Sequence, residues 1–181
     1  LNGGAAIADA GAVTVTTPGS LKLGGSETIG SLAGTGGVDL QANTLTIGGS
    51  STTAYSGAMI GVGGSLVQGG SGVLTLSGVN TFSGGVTIGS GTVQVGNNSG
   101  LGTGVVTMTG GVLSSDSTTA RTLTNGLSLG GTVTLGNASN NGGLTFSGAG
   151  SVTGTSSVTV SSPVTLNGAL DLQGNMATVS P

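Results

Sequence analysis

The chain has 181 residues, 41 of them glycine, with no cysteine or histidine and only two basic side chains against five acidic ones. Two basic residues cannot form the clustered stripe that nucleic-acid phosphates require, and a thiol nucleophile, an imidazole base or a Cys/His zinc site lacks its residues outright. A mean hydropathy of +0.39 with 4% charged residues opposes ordinary disorder, while no apolar run approaches the ~20 residues of a membrane-crossing helix.

The chain opens at Leu1-Asn2-Gly3 without a basic-then-apolar leader and closes at Ser180-Pro181, which reads as a piece of a longer protein or a processed product. Val13-Thr14-Val15-Thr16 and Leu21-Lys22-Leu23 flank a turn at Pro18-Gly19 and predict two strands meeting at a corner. Strand signals continue at Thr28–Leu32, Val38–Leu40 and Thr44–Ile47. From Gly72 to Leu113 the triplets Leu74-Thr75-Leu76, Val86-Thr87-Ile88, Val93-Gln94-Val95 and Val106-Thr107-Met108 each set a polar residue between two apolar ones, the pattern of half-buried strands. Ser114 to Thr119 reads as a longer polar corner loop before Arg121. Beyond it, separate strands are expected at Leu127–Leu129, Val133–Leu135, Leu144–Phe146, Val158–Val160, Val164–Leu166 and Leu170–Leu172. No helix signal appears.

Glycine-led strand starts at Val73, Val93 and Val112 recur at about 20 residues, an interval of a stacked solenoid rather than of hairpins. The expected fold is therefore all-β: a right-handed parallel β-helix of about 20 residues per coil and about nine coils, in one segment spanning 1–181. At ~4.8 Å per layer the rod would be roughly 40 Å long, with bare strand edges at both ends. Leu74, Leu76, Phe82, Val86 and Ile88 face inward in this reading, with Thr75 and Thr87 outward. Glycine pairs such as Gly84-Gly85 and Gly110-Gly111 turn the corners.

The stretch Gly72-Val-Leu-Thr-Leu-Ser-Gly78, Asn80-Thr81-Phe82, Gly84-Gly85-Val86-Thr87-Ile88, Gly91-Thr92-Val93-Gln94-Val95-Gly96 and Leu101-Gly102 resembles the passenger-associated repeat of bacterial autotransporters. The best match covers 28–113, because Ile29-Gly-Ser-Leu32 through Thr44-Leu-Thr-Ile-Gly-Gly49 is similar to what commonly precedes that repeat. Gln68 stands where the family often has Lys and Val62 intrudes where Gly or Ser is usual, departures expected to affect the surface more than the fold. The resemblance implies an exported protein at the bacterial cell surface or outside the cell, with a membrane barrel beyond Pro181 and no membrane insertion by this segment.

Candidate chemistry is sparse. Asp9 and Glu27, near one period apart, are the one carboxylate pair worth weighing for glycoside cleavage, against the plainer reading of two isolated outward or corner acids. Asp39, in Gly36-Gly37-Val38-Asp39-Leu40, only faintly fits a calcium-binding nonapeptide and reads as a turn acid. Tyr55, Phe82 and Phe146 are too few for a sugar-stacking platform, and both phenylalanines read as core. Asn80, Asn97, Asn98, Asn140 and Asn141 suit turns or stacked amide ladders. Thr14/Thr16, Thr107/Thr109 and Thr132/Thr134 resemble the rows of ice-binding solenoids, although Thr favours exposed strand positions in any sheet. The expectation is a non-catalytic surface scaffold or adhesin segment with no catalytic, metal or cofactor-binding residue and an unknown binding site. Its partners would be host or cell-surface ligands or itself, the alternative being a filament subunit stacking end to end through bare edges.

Overall fold

The computed structural model describes residues 6–181. Within them the chain is all-β without a helix and winds into a parallel β-solenoid of about 8 turns. The coils lay their strands on three faces. The first three coils carry β1 (Ala12–Val15), β2 (Ser20–Lys22) and β3 (Glu27–Ile29), then β4 (Ser31–Gly34), β5 (Gly37–Asp39) and β6 (Thr44–Ile47), then β7 (Thr52–Tyr55), β8 (Met59–Ile60) and β9 (Ser65–Gln68). The next two keep strands on two faces only: β10 (Val73–Leu76) with β11 (Gly85–Ile88), and β12 (Thr92–Val95) with β13 (Val106–Met108). The remaining strands are β14 (Val112–Ser115), β15 (Arg121–Leu123), β16 (Leu127–Leu135), β17 (Leu144–Phe146), β18 (Gly150–Val160), β19 (Val164–Leu166), β20 (Leu170–Asp171) and β21 (Ala177–Ser180), with the second face resuming at β15.

Face one stacks β1-β4-β7-β10-β12-β14-β16-β18-β21; face two holds β2-β5-β8 and, separately, β15-β17-β19; face three stacks β3-β6-β9-β11-β13-β16-β18-β20. The nine layers of face one bound the eight turns, one fewer than expected. Side-chain order dictates this parallel stacking. Leu45, Leu66, Val86, Val106 and Leu127 lie in register down face three, so each coil offers an apolar side chain to the like residue above and below. A single coil could not bury these residues alone, and the stack completes their burial.

The register corrects three readings. Val73 pairs with Thr92 and Thr92 with Val112, whereas Val93 lies opposite Leu74 and is buried. A slip of one residue would have turned every side chain to the wrong face. Ser114 and Ser115 are buried within β14 rather than in a loop, so the irregular corner begins at Asp116. Furthermore, the glycine pair Gly130-Gly131 does not end a strand. β16 runs through that corner from face three to face one, and β18 follows it with a register shift between Leu129 and Gly131. The extra residues are absorbed there as a bulge.

Elsewhere glycine is required by close approach. A Cβ on Gly57 would stand 1.9 Å from the Gly36 carbonyl oxygen, and one on Gly78 2.0 Å from that of Gly57. These glycines form a spine at the corner between faces one and two. Gly85 and Gly111 take φ of 90° and 68°, as expected of corner glycines.

Candidate interaction surface

Glu27 points inward from β3 and is buried, in register with Leu45 of the inward apolar stack. Its carboxylate accepts the backbone N–H groups of Ile7 at 2.9 Å and Ala6 at 3.1 Å. It is therefore not the outward acid the sequence suggested, and exposed Asp9 does not share its surroundings. Burying a carboxyl group requires such donors, and here they tie residues 6–7 across the end of face three. Asp39 is a turn acid: it accepts the Gln41 N–H at 3.0 Å and the Gln41 side-chain amide. Asp116 pairs with Arg121 at 2.7 Å, and the Arg121 Nε–H reaches the Val95 carbonyl at 3.1 Å. This pair pins the irregular corner after β14 to the coil beneath it. Among the described residues no three of Asp and Glu gather into a metal-binding group.

Tyr55, Phe82 and Phe146 are all fully buried. The Tyr55 hydroxyl donates to the Gly36 carbonyl at 2.7 Å, with that of Ala58 at 3.1 Å, and burial pushes its pKa up from 10.0 to about 12. Asn80 bridges three coils, accepting the Met59 N–H at 2.8 Å and donating to the Gly100 carbonyl at 2.6 Å. Asn97 turns the chain by accepting the Ser99 N–H at 2.9 Å, and Asn98 accepts the N–H of Thr122 at 3.1 Å. Asn140 donates its N–H to Asn137, and among the described residues no amide ladder links it or Asn141 to Asn80, Asn97 or Asn98. Asn125, which the sequence did not single out, donates to the carbonyls of Gly102 and Gly104 at 3.2 and 2.6 Å. Gln68 overturns the expectation of a surface departure. It is buried in register between Ile47 and Ile88 and donates to the Gly70 carbonyl at 3.0 Å, whereas Val62 is exposed as expected.

Outward positions gather a surface that no single strand displays. Down face three, Thr28, Thr46, Val67, Thr87, Thr107, Ser128, Ser151 and Asp171 occupy one row in register. At ~4.8 Å between layers the row runs most of the rod. It holds hydroxyls and one β-branched methyl pair, and its only charge is the terminal Asp171. Of the threonine pairs read from the sequence, only Thr107 belongs to it. On face one Thr14 lies opposite Ala33 and Thr75 between Ala54 and Gln94, while the neighbouring outward position stacks Thr52, Val73, Thr92, Val112, Thr134 and Thr159 in register, a mixed row of threonine and valine that holds Thr134 of the pairs read from the sequence. Adjacency along a strand misled here, because rows are built across coils.

Coils of constant side-chain order, an apolar interior and flat hydroxyl-bearing faces define a parallel β-solenoid repeat protein. Residues 66–95, running from β9 through β12, match the passenger-associated-transport-repeat, which supports the autotransporter passenger repeat read in this stretch of the sequence. No curated protein and no solved structure matches the chain.

Proposed function

We propose that the chain is part of an exported bacterial surface protein, a non-catalytic β-helical stalk or adhesin segment of the autotransporter passenger kind. The observation that carries this reading is the passenger-associated repeat at 66–95, seated without interruption inside a solenoid that extends far beyond it on both sides. A low-charge chain without cysteine passes an export pore unfolded without disulfide obstruction, and each emerging coil then finds the previous one as its template. The flat rows of faces one and three supply the binding area for a host or cell-surface ligand.

The test is surface exposure. Intact bacteria expressing the whole gene product are treated with an added protease and probed with an antibody to this segment. Labelling and shaving of unbroken cells is the expected result; reactivity only after lysis rejects export. A second reading, an extracellular filament of end-to-end subunits, is favoured by the exposed apolar end at β20 and β21. Negative-stain electron microscopy separates the two, since long unbranched fibres support the filament and short separate rods the stalk.

A further inference from the structure

The last coil repeats a turn that is also present near the first. Gly36, Asp39, Leu40, Gln41, Asn43 and Thr46 return at identical spacing as Gly168, Asp171, Leu172, Gln173, Asn175 and Thr178. Both copies fold alike. The Asp carboxylate accepts the N–H of the Gln two residues on, at 3.0 Å for Gln41 and 2.9 Å for Gln173. Both glutamines adopt positive φ, 55° and 50°. The Asn N–H closes the turn on the Leu carbonyl, at 2.9 Å in the first copy and 2.7 Å in the second. Each Asn side chain donates to a carbonyl of the preceding coil, that of Leu23 or Val152. The second copy is displaced by one face, since β5 and β6 lie on faces two and three and β20 and β21 on faces three and one.

Only one copy is covered. Leu40 is 0% exposed and Ile47 3%, whereas their counterparts Leu172 and Val179 are 44% and 66% exposed. Next to the uncovered copy, the open interior of the last coils forms an apolar hollow of ≈ 490 Å³ walled by Val158, Val160, Leu166, Leu170 and Val179 among others. What covers the first copy is the segment Gly61-Val62-Gly63-Gly64-Ser65. A Cβ on Gly64 would come within 2.6 Å of the Leu40 Cβ, and one on Gly61 within 2.5 Å of the Gln41 carbonyl oxygen. The Ser65 N–H then bonds the Asn43 carbonyl at 3.0 Å. Only a nearly side-chain-free crossing fits over this turn.

We infer that the open end is a docking edge for one further parallel β-coil, and that its occupant carries a Gly-x-Gly-Gly-Ser segment lying over Leu172–Asn175 as Gly61–Ser65 lies over Leu40–Asn43. The edge continues the coil-on-coil interface already formed within the molecule, with the Asp, Leu, Gln and Asn of the turn repeated on its lower side and Gly174, Met176 and Ala177 standing where the first copy has Ala42, Thr44 and Leu45. A second copy presents a poorer fit. Its first coil crosses between β2 and β3 on the shorter Leu23-Gly24-Gly25-Ser26, and Ala6 and Ile7 already occupy the Glu27 carboxylate there. The inference is independent of export.

The experiment extends the chain by its own sequence, replacing Ser180-Pro181 with a copy of residues 48–70, so that the covering coil follows the second turn as it follows the first. Hydrogen exchange by mass spectrometry over 170–179 is the readout, with the thermal midpoint beside it. Exchange is expected to slow at least tenfold and the midpoint to rise; an extension carrying Gly64→Val in the added coil is expected to lose that protection. Unchanged exchange overturns the inference, and so does equal protection by the Gly64→Val extension. Sedimentation of the unextended chain as a dimer with 170–179 already protected also overturns it, in favour of a second copy as occupant.

Discussion

Single side chains decide how neighbouring coils are tied. Asn80 satisfies a buried N–H and a buried carbonyl on opposite sides of its own coil. Asn80→Leu keeps the branched shape, slightly enlarged, but orphans both groups, so stability should fall by about 3 kcal/mol, read from the midpoint of chemical unfolding. Tyr55 makes a pH prediction. Its hydroxyl is held protonated in the folded chain up to about pH 12, against 10.0 in the unfolded chain. Between those values the unfolded state binds fewer protons, so stability is full below pH 10 and falls as pH rises, by at most about 1.4 kcal/mol per pH unit. Tyr55→Phe should flatten that alkaline slope, at the cost of about 1 kcal/mol at neutral pH from the lost bond to Gly36. Denaturant midpoints at pH 7 and pH 11 for both chains would check it.

Strands and corners are where sequence and structure agree most and least. Alternation exposed the strand triplets, because a half-buried strand writes its period into its residues; Leu74, Leu76, Phe82, Val86 and Ile88 are buried as read. Register between coils was less legible. Val93 and Val73 look equivalent beside their glycines, yet one is interior and the other half-covered, since only the stacked partner fixes the phase. The same blindness put Gln68 on the surface and concealed the row from Thr28 to Ser151. It also concealed the paired Asp-Leu-Gln-x-Asn turns, which sit too far apart for a twenty-residue period to align. Corner glycines divide by the same logic: Gly57→Ala places a Cβ against a carbonyl and should cost about 3 kcal/mol. Gly37→Ala, whose nearest neighbour would be 3.8 Å away, should stay within about 0.5 kcal/mol. Thermal unfolding of the two variants side by side tests the spine.

At the scale of the whole rod, burial is uneven. Coils from β9 to β16 are enclosed by neighbours on both sides, whereas Leu170, Leu172 and Val179 at the far end are exposed. Hydrogen exchange should therefore be slowest in 66–129 and fastest in 164–181, with the difference following position along the rod rather than strand length. Uniform exchange would mean that the coils open together. The two ends also differ in kind, and the buried Glu27 is the reason. A strand arriving beside β3 must evict Ile7 and strip a carboxylate of two backbone donors, whereas a strand arriving beside β21 meets bare methyl groups and a ready-made turn. Glu27 is thus a latch set into the mould: one buried carboxyl group fastens residues 6–7 to β3, while the exposed methyl groups of β21 fasten nothing by charge.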